Sequence, residues 1–296
     1  KPSLVANTQL GLFGDDKTLA KAKGRPKVTA NKFIINEVRD IDGDGEFNLK
    51  DVAKQLKENK HNEWTPLEGD GDFRSDECVG LLKQSDIVVT NPPFSLFREY
   101  LKQLMEYKKK FVIIGSMNAL KYANIFPLIK NNKIWLGVSN GAKTFIKPDK
   151  TEQKMGNTCW FTNIDHGRRH QPLPLMTKAE LIKFVTKKPF LKYDNYDAIE
   201  VSQVKNIPSD YKGAIGVPIS FLDKYNPEQF EIIGLGQGNL YRELTPKGLN
   251  KEFVNNYYQN GGTGSISEDH PILGYYNEDG KATIPYMRII IKHKTK

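Results

Sequence analysis

Residues 86–94 read Asp-Ile-Val-Val-Thr-Asn-Pro-Pro-Phe, and this stretch decides the fold that the sequence predicts. Its β-branched run predicts a short buried strand of a parallel sheet, and the prolines end that strand because proline cannot continue the hydrogen-bond ladder. Apolar side chains follow at the spacing of one helical face, namely Phe97, Tyr100, Leu101 and Leu104. Another apolar run, Phe111–Gly115, predicts a second buried strand. A strand, a helix and a strand within about 30 residues predict a right-handed βαβ unit.

The flanking sequence extends this α/β prediction in both directions. We expect a strand at Lys32–Val38, a helix over Ala119–Lys130 and a third strand at Ile134–Gly137. After about residue 165 a proline-containing connector leads into a different pattern, which predicts an α+β region. Its short strands are expected at Gly216–Phe221, Phe230–Leu235 and Tyr286–Ile291.

Composition narrows the class of protein. The chain has 296 residues, of which 38% are hydrophobic, so we expect a packed core and not disorder. Lys and Arg outnumber Asp and Glu by 44 to 35, and the net charge of +9 fits a nucleic-acid partner without requiring one. Cys78 and Cys159 offer neither a disulfide framework nor zinc spacing, which favours a reducing, cytoplasmic compartment. No apolar run approaches the roughly 20 residues that span a bilayer, so we expect no membrane partner.

The four residues Asn91-Pro92-Pro93-Phe94 combine groups that suit one reaction. The Asn91 side-chain oxygen and the carbonyl of the following proline can accept the two hydrogens of an exocyclic amino group such as adenine N6, so that its lone pair faces a methyl donor. The Phe94 ring can stack on the base. This pattern favours methyl transfer by positioning and electrostatics, without a strong general base. The alternative is an ordinary turn that ends a strand.

The same stretch resembles motif IV of amino-methyltransferases. More narrowly, GDGDFRSDECVGLLKQSDIVVTNPPF, KIWLGVSNG, GNTCWFTN, GVPISFLDKYNPEQFEIIG and YMRIIIKHK resemble the EcoRI-type adenine-specific methyltransferase family, over about residues 69–296. The resemblance implies a Rossmann-like sheet that uses S-adenosylmethionine, an α+β C-terminal extension, and methylation of a flipped adenine in double-stranded DNA within a restriction-modification system. It implies a division of the chain into an N-terminal region (1–68), part of the catalytic core (69–165) and a DNA-recognition region (166–296).

The resemblance also implies roles for particular residues. Asn91 would bind both the target amino group and the cofactor, and Asp72-Phe73 looks like the acidic-aromatic motif III that holds the cofactor adenine; an ordinary turn is the alternative. Trp160 and Phe161 are candidates to stack on an extruded adenine, with core packing as the alternative. The family's glycine-containing motif I is not found, and Leu12–Asp16 is only a weak substitute for it. We therefore expect this chain to lack the family's N-terminal segment.

An acidic loop forms a second motif. Asp40, Asp42, Asp44 and Asp51 occupy positions 1, 3, 5 and 12 of a calcium-loop pattern, with Gly45 at position 6. Alternating carboxylates can converge on one hard cation, and we expect such a calcium ion to be structural. The alternative is a solvated acidic turn, since the preceding segment looks like a strand and not like the entering helix of an EF-hand.

The C-terminal half offers candidate DNA contacts. Two tyrosines, Tyr257 and Tyr258, precede a predicted loop at Gln259–Gly264. Basic clusters that are candidates for phosphate contact, or for solvated surface, lie at Lys108–Lys110, Arg168–His170, Lys187–Lys188 and Lys292–Lys296. Two other functions stay open: methylation of RNA or of a protein glutamine, which suits the same motif, and a non-catalytic DNA-binding fragment, suggested by the missing motif I.

Overall fold

The computed structural model describes residues 3–6, 30–36, 39–45, 51, 54–55, 63–138, 140–146, 151–244 and 246–294. The chain divides into two compact units. The first contains residues 1–88, 103–109 and 145–153, and the second contains residues 89–102, 110–144 and 154–296. Among the described residues, no helix is both long enough and apolar enough to cross a membrane.

The first unit begins with a small antiparallel sheet. Strands β1 (Ser3–Ala6), β2 (Asn31–Ile35) and β3 (Glu63–Pro66) lie in that order. The predicted strand at Lys32–Val38 corresponds to β2, and residues 37–38 lie outside the described residues. Helix α1 (Asp76–Gln84) begins after Ser75, because the Ser75 side chain accepts a hydrogen bond from the Cys78 amide and caps the first turn.

The Asn91–Phe94 motif follows β4 (Ile87–Thr90), the strand at one end of the order of a second sheet. The other strands of this sheet are β5 (Lys110–Ser116), β6 (Trp135–Leu136), β7 (Gly141–Ile146) and β8 (Glu152–Thr162). The order is β4-β5-β8-β6, and β7 also pairs with β8. Helix α2 (Phe97–Glu106) connects β4 to β5, so the predicted strand, helix and strand are confirmed as elements. Strand β8 runs antiparallel to both β5 and β6, so this sheet is not wholly parallel.

Two predicted elements differ from the structure. Strand β4 is not buried on both faces: Ile87 and Val89 are 51% and 69% exposed. The strand lies at the end of the sheet order, so its residues alternate between a covered and an open face. The predicted helix over Ala119–Lys130 is interrupted, because Tyr122 is extended between a 3-10 turn (Met117–Lys121) and helix α3 (Phe126–Lys130). Pro127 fits the first turn of α3, where proline is tolerated, but not the interior of one long helix.

The C-terminal part of the second unit is α+β, as predicted. Its main sheet has the order β11-β14-β10-β9. Only β9 and β10 are parallel, and the other pairs are antiparallel. The elements are α4 (Lys178–Glu180), β9 (Ala198–Glu200), β10 (Ala214–Pro218), β11 (Phe230–Leu235), α5 (Asn239–Arg242), α6 (Lys251–Gln259), β12 (Tyr275–Tyr276), β13 (Ala282–Thr283) and β14 (Arg288–His293). The three strands predicted for this region correspond to β10, β11 and β14, with β10 and β14 each displaced by about two residues.

A buried charged cluster joins the strands of this sheet. Arg288 donates to Glu200 from Nε at 3.0 Å and from Nη2 at 2.6 Å, and the Tyr193 hydroxyl also donates to Glu200. The Arg288 and Glu200 side chains are only 10% and 6% exposed. A buried ion pair of this kind gives little net stability but is costly to break, because the remaining charge would lack a partner.

Candidate active site

The Asn91–Phe94 turn leaves two hydrogen-bond acceptors free. The Pro93 carbonyl accepts from the Leu96 amide at 3.0 Å, which closes the 3-10 turn Phe94–Leu96 at the start of α2. Among the described residues, neither the Asn91 side chain nor the Pro92 carbonyl has a hydrogen-bond partner. Pro92 is buried while Asn91 is exposed, so the turn is anchored and its amide side chain faces solvent. Both predicted acceptors for an amino group are therefore available.

Phe161 packs in the core. It is fully buried, and its ring centroid lies 4.9 Å from that of Phe97 on α2. Gly115 on β5 makes room for both rings, since a Cβ there would lie 2.5 Å from the Phe97 ring and 3.0 Å from the Phe161 ring. This arrangement favours the core-packing alternative for Phe161, because a base cannot reach the ring without opening the core.

Trp160 is only half-buried, and the backbone around it is fixed by a residue that the sequence did not single out. The Asn140 side-chain oxygen accepts from the Trp160 amide at 3.1 Å, and its nitrogen donates to the Gly137 carbonyl at 2.8 Å and to Asp223 at 2.5 Å. The Gly137 amide donates in turn to the Trp160 carbonyl. Trp160 stays a candidate for base stacking. The one sequence signal for Asn140 is its place in KIWLGVSNG, a stretch that carries the family resemblance.

Asp72 is tied to its neighbour Arg74. Its carboxylate accepts from the Arg74 amide at 2.9 Å, from Nε at 2.9 Å and from Nη2 at 2.6 Å. These hydrogen bonds hold the pKa of Asp72 at about 2, below its usual 3.8. The Arg74 guanidinium also lies 5.4 Å from the centre of the Phe73 ring. Asp72 is thus an ionised acceptor, and a carboxylate has about four lone-pair positions, so it retains capacity for one further donor.

The acidic loop brings three of its four predicted ligands together. Ligand oxygens of Asp40, Asp42 and Asp44 all lie within 4.8 Å of one another, and all three residues are exposed. The Gly43 and Gly45 amides donate to Asp40 at 2.7 and 2.8 Å. Asp51 is buried and is not part of that cluster. Its Oδ1 accepts instead from the backbone amides of residues 41 and 42. Loop residues 46–50 lie outside the described residues.

One predicted basic cluster is neutralised internally. Arg168 binds Asp223 at 2.6 Å, Arg169 binds Asp165 at 2.7 Å, and His170 bridges Asp165 and Glu228. These carboxylates raise the pKa of His170. Since each side chain already has an acidic partner, this cluster is better explained as structural than as a phosphate contact. Lys109 of another cluster donates to two backbone carbonyls.

The loop after α6 is held by the two predicted tyrosines. The Tyr257 hydroxyl donates to the Thr263 carbonyl at 2.6 Å. The Tyr258 hydroxyl contacts the carbonyls of Gly264 and Ile266 and accepts from the Ile266 amide at 2.8 Å. The loop is therefore shaped by side chains of the preceding helix.

Strand β4 of this sheet ends in an Asn-Pro-Pro-Phe turn, two acceptors of which have no partner among the described residues. This arrangement resembles the class of amino-methyltransferase domains. The chain belongs to the family described as adenine-specific methyltransferase EcoRI, whose model matches residues 13–294. This match confirms the resemblance seen in the sequence. The weak motif at Leu12–Asp16 lies outside the described residues.

Two relatives of the chain are named Type II methyltransferases. The chain is 50% identical over 197 residues to the Type II methyltransferase M.EcoRI of Escherichia coli, a match that covers 61% of this chain and 59% of that protein. It is 41% identical over 205 residues to the Type II methyltransferase M.MpnI of Mycoplasma pneumoniae, covering 63% of this chain and 61% of that protein. The chain thus spans about three fifths of the length of these relatives. No solved structure matches it significantly.

Proposed function

We propose that this chain is the catalytic and DNA-recognition part of an S-adenosylmethionine-dependent DNA adenine-N6 methyltransferase of a restriction-modification system. The observation that carries the proposal is the Asn91–Phe94 turn, with two free acceptors beside an aromatic ring. Membership of the adenine-specific family supports it, as do relatives named Type II methyltransferases.

The turn explains how an amino group can be made reactive. The lone pair of adenine N6 is delocalised into the ring. The Asn91 oxygen and the Pro92 carbonyl accept its two hydrogens and orient the nitrogen so that the lone pair lies outside the plane of the base. Phe94 stacks on the flipped base, and Trp160 is the second stacking candidate. The contribution of the protein is positioning, and no side chain is required as a strong base.

Residues of the first unit suit the cofactor. S-adenosylmethionine supplies an electrophilic methyl group when it is bound. The ionised Asp72 carboxylate can accept a hydrogen bond from the amino group of the cofactor adenine at its remaining lone pair. The Phe73 ring can stack on the face of that adenine. A contact of Asn91 with the cofactor stays a prediction.

The finer structural proposals follow from the family. We propose that the β4-β5-β8-β6 sheet is part of a Rossmann-like methyltransferase sheet, that residues 69–165 form part of the catalytic core, and that residues 166–296 recognise double-stranded DNA. The loop after α6, fixed by Tyr257 and Tyr258, is the proposed recognition element of that region. A cytoplasmic location fits such an enzyme. The calcium site at Asp40, Asp42 and Asp44 stays a prediction.

Transfer of radiolabelled methyl from S-adenosylmethionine to duplex DNA tests the proposal, with Asn91→Ala as the control. Labelled DNA with the parent chain and loss of label with the variant are expected. Equal labelling by both would contradict the role of the turn. Preferred labelling of tRNA or of a protein release factor would overturn the substrate class. DNA binding without any transfer would favour the non-catalytic alternative.

A further inference from the structure

Three arginines of the described residues lie over aromatic rings. Arg74 lies over Phe73 and Arg169 over Trp135, and each of these arginines also binds a carboxylate. Arg98 is different. Its guanidinium lies 5.1 Å from the centre of the Tyr122 ring, but no carboxylate partner of Arg98 is present in the described part of the chain.

Rigid elements hold this pair in place. Arg98 lies in the first turn of α2 between Phe97 and Leu101, which are 2% and 1% exposed. The Tyr122 amide donates to the Ala119 carbonyl at 3.1 Å, and the Tyr122 carbonyl accepts from the amides of residues 125 and 126. Arg98 is exposed, the ring fixes the direction of its guanidinium, and no described residue neutralises its charge.

The position of the pair points to its ligand. Arg98 follows Phe94 by one helical turn, and the Met117–Lys121 turn with Tyr122 follows the end of β5. β4 and β5 are neighbours in the sheet, and α2 connects them. A helical crossover is the connection that parallel neighbours require, so we take the chain to leave both strands at the same edge of the sheet. Ligands of open α/β sheets bind at that edge. Lys121, which is also exposed and has no acidic partner among the described residues, adds a second cation there.

We propose that Arg98, oriented by Tyr122 and assisted by Lys121, binds a DNA backbone phosphate next to the flipped nucleotide. The proposal rests on the proposed function and deepens it. An arginine planar fork matches phosphate geometry, and a fixed cation beside the target turn would hold the sugar-phosphate backbone while the base occupies the site. A flipped base has lost its stacking and pairing in the duplex, and a contact to the backbone phosphate beside it can offset part of that cost.

The salt dependence of DNA binding tests this site. The probe is a fluorescein-labelled duplex that carries the adenine site identified by sequencing plasmid DNA methylated by the chain, or a mixed-sequence duplex if no methylation occurs. Each phosphate contact adds about 0.9 to the slope of log affinity against log salt. Arg98→Gln is expected to lower that slope by about 1 and to weaken affinity about tenfold. It should raise KM for DNA and leave kcat at saturating DNA within about twofold.

Matched variants distinguish an effect of the position of Arg98 from a general effect of losing one positive charge. Lys133→Gln removes an exposed cation between α3 and β6, outside the proposed recognition region, and is expected to leave the slope unchanged. Tyr122→Phe keeps the ring and should behave like the parent, whereas Tyr122→Leu should lose part of the affinity that Arg98 supplies. An unchanged slope for Arg98→Gln, or an equal decrease for Lys133→Gln, would overturn the proposal.

Two further outcomes distinguish the site from the reaction. If Arg98→Gln weakens binding of S-adenosylmethionine but not the salt slope for DNA, the anion is a cofactor carboxylate and the phosphate proposal is wrong. If the parent chain transfers no methyl group while its DNA binding still depends on Arg98, the phosphate site stands and the proposed reaction does not.

Discussion

The Leu96 amide donates to the Pro93 carbonyl over 3.0 Å, and this bond gives the two prolines of the turn different roles. Pro93 is committed to starting the helix, because its carbonyl is used within the chain. Pro92 keeps its carbonyl free, and its buried ring fixes the direction of that carbonyl. The acceptor pair of the proposed site is therefore Asn91 with Pro92, and its geometry is set by a turn with little conformational freedom.

Asn91→Ala is expected to separate activity from stability. Removing one of two acceptors for the target amino group should lower kcat by about 10²–10³, as for loss of one preorganised group in other active sites. The exposed Asn91 side chain has no partner among the described residues, so the free energy of unfolding should change by no more than about 0.5 kcal/mol. Single-turnover methyl transfer and urea unfolding measure the two quantities. Ser95→Ala, an exposed change in the same turn, is the control and should keep full activity.

Replacement of Phe161 should mainly lower stability, whereas replacement of its neighbour Trp160 should mainly weaken DNA binding. Phe161→Ala is expected to lower the free energy of unfolding by about 3–5 kcal/mol, because the ring is fully buried against Phe97. Trp160→Ala should cost less stability but should weaken the complex with target DNA by about 1–3 kcal/mol if the indole stacks on the base. Thermal unfolding and fluorescence of 2-aminopurine at the target position measure these effects. Unaltered DNA affinity and fluorescence in Trp160→Ala would remove it from the site.

Local pattern predicted much of this molecule. The strand before Asn91 and the helix that contains Phe97 and Leu101 follow from residue spacing over about ten positions, and the structure has both. The helix cap at Ser75 also depends on local sequence, because its hydrogen bond joins residues that are three apart. Such features depend on near neighbours in sequence, which is the information that a single sequence contains.

Features set by distant partners could not be read from the sequence. The exposure of Val89 depends on whether another element covers its face of β4. Phe161 and Trp160 are adjacent in sequence, yet the alternation of a strand places one in the core and the other at its margin. The sequence leaves Arg169 open as a solvated surface cation, but the ring of Trp135, which is distant in sequence, lies beside its guanidinium in the folded chain.

The pH dependence of Asp72 should follow its bond to Arg74. The pKa of Asp72 is lowered from 3.8 to about 2, so the ionised pair stabilises the folded state above about pH 4, and this contribution is lost as the pH falls toward 2. Arg74→Gln is expected to raise the midpoint of the Asp72 carboxyl part of the way toward 3.8, because the guanidinium is lost while the amide of residue 74 still donates to the carboxylate. Carboxyl carbon NMR titration measures this midpoint. Arg242→Gln removes the same charge from the other unit and should leave it unchanged; a midpoint near 2 in Arg74→Gln would contradict the assignment.

Calcium should stabilise the chain through the acidic loop. Three carboxylates, on Asp40, Asp42 and Asp44, lie within 4.8 Å of one another and repel when ionised, and a divalent cation would convert this repulsion into attraction. At a calcium concentration 100 times the Kd, stability should rise by about 2.7 kcal/mol, and Tm should rise with it. Addition of a chelator should reverse the shift. Asp42→Asn should abolish most of it, whereas Asp279→Asn, an exposed aspartate in another turn, should preserve it. A Tm that does not respond to calcium in the parent chain would leave the loop as a solvated turn, in which Asp51 holds the backbone through its bonds to the amides of residues 41 and 42.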